Sequence, residues 1–449
     1  MTTRRTFIYS TAAAGVASLS TGYGSGPPTN APNEPAPGHK RATKSVGTPG
    51  LIRAAIRRDE STLRLGGDGD NFHMSWAPDD TQVVAVCDGA GWIDNPKFLY
   101  NSRLFSISGQ PDNAAFREFS NYPKLVIRPQ ASTPKYYNFG TLALGSCIYQ
   151  FLSTFDEPAI DGGGGSRFIG AKLIYSADNG CTWRNQDGSL PVVWEGWRER
   201  SQKTMVFFKE PQDAFSLLTI LQMGRGYRAN RDGYVYVYSP NGSIDGTMNQ
   251  LVMFRVPRNQ ILNRHAYEFF SGIEASGKPK WSHDILERAV VHTFPRGWVN
   301  ELTSSSHPYA WHPSVAYNSP LGVYMMTNWG MGCGQAGEWF SKPSYLGIYV
   351  ARDPWGPWTQ IHEETAWMPN GDPAARAYQP QIAPGWISQD GRSFWMVWTD
   401  FQHSTEFSDD LQLAFDSKTD EEFMTFMLRS RVHRPYYAFN TQRVNLVLS

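Results

Sequence analysis

Apolar residues occur in short runs from residue 63 onward, and turn-forming residues separate the runs. Typical examples are QVVAVC at residues 82–87, GYVYVY at 233–238 and SFWMVW at 393–398. Odd and even positions of such runs are both apolar, which is typical of strands buried between stacked sheets. Gly, Pro, Asn and Asp stand between the runs, and hardly any stretch has the spacing of an amphipathic helix. The sequence therefore predicts an all-β fold.

The runs group in threes and fours, which favours a β-propeller. One division into blades is residues 63–129, 136–197, 203–270, 290–364 and 378 to the end of the chain. Closing such blades into a ring buries the sheet faces and leaves only short edges. We therefore predict a five-bladed β-propeller, with six or seven blades as alternatives. Residues 49–449 would form this single domain, a size that large β folds reach.

The segment from Ser176 to Trp183 has a distinctive turn pattern, S-x-D-x-G-x-T-W. It resembles the Asp-box of sialidases, a hairpin turn on the outer rim of a propeller. In such a turn the Asp accepts hydrogen bonds from backbone amides, and Gly takes a positive φ. We therefore expect Asp178 to be structural. Residues 388–395 form a weaker relative of the pattern.

The first 48 residues follow a different pattern. Arg4 and Arg5 precede Phe7 and a mildly apolar stretch at residues 8–19, which indicates a twin-arginine export signal. Residues 21–48 are rich in Gly, Pro, Ser and Asn, as in a linker without fixed structure. The chain is thus expected to be exported, to the periplasm or beyond the cell.

The composition narrows the function. The chain has 41 basic and 41 acidic side chains, so it lacks the basic excess of a general nucleic-acid or membrane-surface binder. The four cysteines show neither a CxxC nor a clustered Cys/His spacing, and we expect free buried thiols and no metal site. The glycine run at 162–165 has no helix behind it to bind phosphate, and no cofactor is predicted. After the signal no apolar run is long enough to span a membrane, and a monomer is expected.

Two acidic residues of blade one are the candidates for catalysis. The innermost strand of each propeller blade begins beside the central channel. Asp70 begins the first strand and Asp88 ends the second, 88 − 70 = 18 positions later, so a hairpin turning near Asp80 places them side by side. Glycoside hydrolysis needs such a pair, one carboxyl group protonated and the other ionised. The alternative is that both simply form turns with the neighbouring glycines.

These residues also carry a resemblance to a known family. The strands at 70–76 and 232–238 and the pair Asp88-Gly89 resemble the endo-D-arabinanases of glycoside hydrolase family 183, five-bladed propellers formerly known only as a domain of unknown function. The resemblance covers about residues 65–402, although residues 296–313 match no part of it. It implies that Asp70 and Asp88 are the essential acids and that the substrate is an arabinan-like polysaccharide containing furanosides.

Further polar and aromatic residues stand at comparable positions of the blades. We predict that these residues bind substrate: Asn71, His73, Trp92, Asn138, Lys203, Asp232, His312, Trp329 and Gln379. Asp232 has a competing interpretation as an ordinary Asp-Gly turn. Sugar rings stack on indole faces, which suits the two tryptophans.

Two other functions fit the same residues. If His73 or His312 faces the channel with Tyr137 and Lys203, the layout is that of a polysaccharide lyase, in which His or Tyr removes a proton from a uronate. A carbohydrate-binding propeller without catalysis would use the same aromatic pockets.

Overall fold

The computed structural model describes residues 52–129, 133–157, 167–242, 249–294, 313–334 and 340–449. The predicted export signal and linker, the glycine run at 162–165 and the candidate His312 lie outside these residues. The described residues form five antiparallel sheets, which are the blades of a five-bladed β-propeller. The predicted fold class is therefore confirmed, and the alternatives with six or seven blades are wrong.

The blades follow one another along the chain. Blade one contains β3 (Asp68–Asp70), β4 (Met74–Trp76), β5 (Gln82–Gly91), β6 (Tyr100–Ser108), β7 (Ala115–Glu118) and β8 (Leu125–Val126). Blade two contains β9 (Tyr136–Leu144), β10 (Cys147–Phe155), β11 (Phe168–Ser176), β12 (Arg184–Asn185) and β13 (Phe207–Phe208). Blade three contains β14 (Thr219–Ile220), β15 (Tyr234–Pro240), β16 (Gln250–Pro257), β17 (Glu268–Ile273), β18 (Pro279–Ser282) and β19 (His292–Thr293).

The last two blades complete the ring. Blade four contains β20 (Ser314–Asn318), β21 (Val323–Gly330), β22 (Tyr345–Ala351) and β23 (Thr359–Glu364). Blade five contains β24 (Ala377–Ile387), β25 (Ser393–Asp400), β26 (Asn440–Leu448), β1 (Ile52–Arg57) and β2 (Leu63–Arg64). The strands β4, β9, β14, β20 and β24 contact one another in that order, and β24 contacts β4 again. These five strands therefore surround the centre.

The N-terminal strand closes the ring. Strand β1 pairs antiparallel with β26, so the first and last described strands share one sheet. Strand β1 is the outermost strand of blade five, so hydrogen bonds between Ile52–Arg57 and Asn440–Leu448 hold the closing blade together. This placement corrects the predicted blade limits, which began at residue 63. Two further limits change, because Phe207–Phe208 pairs within blade two and blade three extends to His292–Thr293.

Two α-helices lie between β25 and β26, where the sequence pattern predicts only strands and turns. They are α1 (Thr405–Asp416) and α2 (Asp420–Arg429), and Thr419 caps α2 by accepting a hydrogen bond of 3.1 Å from the amide of Glu422. Neither helix, nor any other in the described part of the chain, is long and apolar enough to cross a membrane. Short 3-10 helices occur at Asp59–Ser61, Pro111–Asn113, Pro211–Asp213, Arg225–Tyr227, Arg264–Ala266, Ile285–Glu287, Pro369–Gly371 and Ser430–His433.

The turn that begins at Ser176 stabilises the contact between blades one and two. The carboxylate of Asp178 accepts hydrogen bonds from the hydroxyl of Ser176 at 2.7 Å and the amide of Thr182 at 2.8 Å. Gly180 has a φ of 86°, and the buried ring of Trp183 meets Tyr122 edge to face at 5.0 Å. The Oδ1 atom of Asp178 thus accepts hydrogen bonds within its own turn.

The four cysteines are free thiols, and all of them lie in the described residues. Cys87 and Cys333 are buried, as expected, whereas Cys147 is half-buried and Cys181 is exposed. The expectation of buried thiols is therefore correct for two of the four.

Candidate active site

Asp70 and Asp88 lie next to each other at the inner edge of blade one. Strand β3 pairs with β5 so that Asp70 stands opposite Cys87, the neighbour of Asp88. The close approach depends on Gly89, because a Cβ there would lie 2.0 Å from the carbonyl oxygen of Asp68. The structure thus brings together the two acids that the hairpin argument paired.

Asp70 is fully buried and receives two hydrogen bonds. The amide of Asn71 donates to Oδ1 at 2.7 Å, and the hydroxyl of Tyr378 donates to Oδ2 at 2.7 Å. Burial raises the pKa of Asp70 to about 8, and the nearby charge of Asp88 adds to the rise. The hydroxyls of Tyr378 and Tyr437 and the amide of Asn71 oppose it. Asp70 is therefore protonated at neutral pH.

Asp88 is also buried, but cationic groups favour its ionised form. Its Oδ1 accepts a hydrogen bond of 2.9 Å from the amide of Asn101. Burial raises the pKa of Asp88 to about 6. The charges of Lys135 and Arg434 limit this rise, as do hydrogen bonds from the side chains of Asn101 and Tyr137. Because this pKa lies below 7, Asp88 is ionised at neutral pH.

Three residues at the acid pair have strained backbone conformations. Asn71, Asp88 and Gln379 have φ values of 56°, 48° and 53°, in the left-handed region that residues other than glycine rarely adopt. Such conformations cost free energy and are concentrated at functional sites, where the surrounding structure imposes them. Gln379 directly follows Tyr378, the hydrogen-bond partner of Asp70.

The side chain of Gln379 has no hydrogen-bond partner, although it is only 2% exposed. It is the one amide side chain of the described residues in which both the oxygen and the nitrogen are buried and unpaired. The Oδ1 atom of Asn71 is likewise buried and unpaired. Buried polar groups are normally satisfied, so these atoms are suited to bind a ligand that donates and accepts hydrogen bonds.

The two α-helices pack beside the acid pair. Apolar side chains of α1 and α2 belong to the same buried cluster as Cys87, Tyr137 and Tyr378. The helical members of this cluster are Phe407, Leu411, Ala414, Phe423, Met424 and Met427. The helices therefore isolate this part of the site from water, which strengthens electrostatic effects within it.

This group of side chains is suited to acid–base catalysis. One buried carboxyl group is protonated and its neighbour is ionised at the same pH, and polar groups without partners lie beside them. Within the described ranges no three His, Cys, Asp or Glu side chains are grouped so as to hold a metal ion.

Similarity to known proteins is found among solved structures. No protein-family model matches the sequence, and no curated protein does. Similar solved structures include a thermostable family-43 glycoside hydrolase, with 13% identity over 85% of this chain and 89% of that one, and a TM-score of 0.43. An α-L-arabinofuranosidase from Podospora anserina in complex with cellotriose has 10% identity over 88% of this chain and 95% of that one, with a TM-score of 0.39. A family 117 glycoside hydrolase from Zobellia galactanivorans has 10% identity, coverage of 89% and 92%, and a TM-score of 0.39.

Several predicted substrate-binding residues lie buried near the acids. His73 is 4% exposed, and burial lowers its pKa to about 3, so its ring is neutral. Asn138 accepts a hydrogen bond from the thiol of Cys87 at 3.0 Å and donates one to the carbonyl of Arg103 at 2.8 Å. The ring of Trp329 lies 5.5 Å from that of Tyr378. The contacts of Asn138 are those of a structural residue.

Three other predicted residues lie away from the acid pair. Trp92 stacks on Phe116 at 3.8 Å within an apolar cluster of blades one and five, so its ring is occupied by packing. Lys203 is exposed beside a cavity of about 570 Å³ between blades two and three. Asp232 accepts hydrogen bonds within its own turn, including one of 2.6 Å from Tyr236. Their prediction as channel residues is corrected by these positions.

Five residues that surround the acids are not among those predicted from the sequence. They are Asn101, Lys135, Tyr378, Arg434 and Tyr437. The position of Tyr378 before Gln379 at the start of an inner strand was a usable signal. Arg434 and Tyr437 come from the segment after α2, which no strand pattern links to the channel.

Proposed function

We propose that this chain is a glycoside hydrolase in which Asp70 and Asp88 are the catalytic acids. The observation that carries the proposal is the buried pair itself, which paired strands β3 and β5 bring together. Burial and the charge of Asp88 raise the pKa of Asp70 to about 8, whereas neighbouring cations limit the rise for Asp88 to about 6. Glycosidases require this division of one protonated and one ionised carboxyl group.

The roles follow from the protonation states. Asp70 donates its proton to the glycosidic oxygen of the leaving sugar. Asp88 acts as the ionised partner, either attacking the anomeric carbon or activating a water molecule. Lys135 and Arg434 keep Asp88 ionised, and the hydroxyl of Tyr378 holds the carboxyl group of Asp70 in place.

We propose a furanoside-containing, arabinan-like polysaccharide as the substrate. The support is the resemblance of residues 70–76, 88–89 and 232–238 to endo-D-arabinanases. The unpaired amide of Gln379 and the carbonyl oxygen of the Asn71 side chain suit sugar hydroxyl groups, each of which both donates and accepts a hydrogen bond. Export by the twin-arginine signal would bring the enzyme to such an extracellular polymer.

The purified protein is tested on D-arabinan, L-arabinan and a uronate-containing polysaccharide, with reducing ends and near-ultraviolet absorbance measured in parallel. We expect new reducing ends from D-arabinan without ultraviolet-absorbing products. Unsaturated products from the uronate polymer would instead support a lyase, for which the buried Tyr137 and Lys135 would be the candidate groups. Binding of oligosaccharides without turnover of any substrate would contradict a hydrolase.

A further inference from the structure

Asp68 joins the inner edge of blade one to the segment that follows α2. Its Oδ2 atom accepts a hydrogen bond of 3.0 Å from Nε of Arg431 and one of 3.2 Å from the amide of Ala90. Its Oδ1 atom lies 3.6 Å from Nη2 of Arg434. The side chain of Asp68 is only 11% exposed and faces two guanidinium groups.

The same two segments are also joined through their backbones. The amide of Gly69 donates a hydrogen bond of 3.2 Å to the carbonyl of Tyr437, and the amide of Tyr437 donates one of 3.1 Å to the carbonyl of Arg434. The guanidinium of Arg434 lies over the ring of Tyr437, 3.9 Å from its centroid. Asp68, Arg434 and Tyr437 are thus linked by side-chain and backbone contacts.

Arg434 and Tyr437 also influence the acid pair. Arg434 is 3% exposed, and its charge favours the ionised form of Asp88. The hydroxyl of Tyr437 favours the ionised form of Asp70, which follows Asp68 by two residues. Arg434 is therefore paired with the carboxylate of Asp68, while its charge also favours the ionised form of Asp88.

We propose that Asp68 is a positioning residue, which fixes Arg434 and Tyr437 against the catalytic carboxyl groups through its ion pairs with Arg431 and Arg434. The proposal rests on the proposed hydrolase function for its kinetic consequence only. The hydrogen bond from Arg431 to Asp68 is charge-assisted and therefore strong and directional. The contact with Arg434, at 3.6 Å, is an ion pair that adds electrostatic attraction, so Asp68 holds the segment through both arginines. A residue of this kind changes the rate of the chemical step more than substrate binding.

The test compares Asp68→Asn with Asp390→Asn, an exposed turn acid far from the site that serves as the matched control. We expect kcat on D-arabinan to fall about 10- to 100-fold in Asp68→Asn, because small displacements in a catalytic site have effects of that size. KM should change less than about threefold, and Asp390→Asn should match the wild type. Arg431→Lys keeps a cation near Asp68 and should retain more activity than Arg431→Gln. Equal losses in the two Arg431 variants, or an unchanged kcat in Asp68→Asn, would overturn the proposal.

A second measurement does not depend on activity. Hydrogen exchange of the backbone amides at residues 431–434, 436 and 437 is followed in the wild type and in the folded Asp68→Asn and Asp390→Asn variants. We expect faster exchange only in Asp68→Asn, since this variant loses the charged contacts of the segment. Unchanged exchange would overturn the positioning role even if the enzyme is an active hydrolase. If exchange is faster in Asp68→Asn but the wild type hydrolyses no glycan, the proposed function is contradicted. The role of Asp68 in fixing the segment at 431–437 would still be supported.

Discussion

Tyr378 of blade five donates a hydrogen bond of 2.7 Å to Asp70 of blade one, so the last blade of the ring directly contacts the candidate acid of the first. Both side chains are fully buried, and Tyr378 also packs against Trp329. This contact spans 308 positions of the sequence. The blade that closes the ring therefore contributes directly to the surroundings of Asp70.

Replacing Tyr378 by Phe removes the donor while keeping the ring. The hydrogen bond from Tyr378 lowers the pKa of Asp70, so its loss should raise that pKa further. The alkaline limb of the kcat/KM profile should then move to higher pH, by up to about one unit. The measurement is a pH–rate profile of Tyr378→Phe beside the wild type. An unchanged alkaline limb would show that Asp70 is not the group titrating there.

The wild-type profile of kcat/KM should be bell-shaped. Activity requires Asp88 ionised and Asp70 protonated. It should rise as the pH passes about 6, where Asp88 loses its proton, and fall as the pH passes about 8, where Asp70 loses its own. Initial rates in a constant-ionic-strength buffer series check this. Activity that still increases above pH 9 would contradict the assignment.

Asp70→Asn should stabilise the folded protein at alkaline pH. The pKa of Asp70 is raised from 3.8 to about 8 by folding, so the folded state holds a proton that the unfolded state has lost between these values. The contribution of Asp70 to stability is therefore fully present below pH 4 and is lost as the pH rises toward 8. Thermal melting at pH 5 and pH 9 measures the effect. The gain in Tm of the variant should be larger at pH 9, whereas Asp390→Asn should show no such trend.

Gln379→Met should stabilise the fold and weaken the binding of substrate. Methionine has a similar length and removes two buried polar atoms without partners, which should stabilise the fold by about 1–3 kcal/mol. If Gln379 binds sugar hydroxyls, the same change should raise KM about tenfold or more. Chemical denaturation and steady-state kinetics measure the two effects. Gln389→Met, at an exposed position, is the control, and an unaltered KM in Gln379→Met would exclude Gln379 from substrate binding.

The strand pattern was sufficient to predict the propeller and the pairing of Asp70 with Asp88. Both depend on local spacing: runs apolar on both faces indicate stacked sheets, and a turn near Asp80 brings the two ends of one hairpin together. The position of β1 in blade five could not be predicted this way, because pairing between strands so far apart in the sequence leaves no local signal.

The insertion that contains α1 and α2 could not be predicted for a different reason. Phe407, Leu411 and Ala414 are spaced by four and three residues, and all three are buried in α1. This spacing is helical, but it is short and stands among polar residues, so the surrounding strand pattern obscured it. The contributions of Arg434 and Tyr437 to the site depend on this insertion. They could not be inferred without the three-dimensional arrangement.

The most direct test of the account is the release of reducing ends from D-arabinan by Asp70→Asn, Asp88→Asn and the Asp390→Asn control, each shown by circular dichroism to be folded. General acid–base groups contribute about 10²- to 10⁴-fold to the rate, so each of the first two variants should lose at least 100-fold in kcat while the control stays at the wild-type rate. Wild-type activity in either Asp70→Asn or Asp88→Asn would contradict the central claim that these two carboxyl groups carry out the hydrolysis.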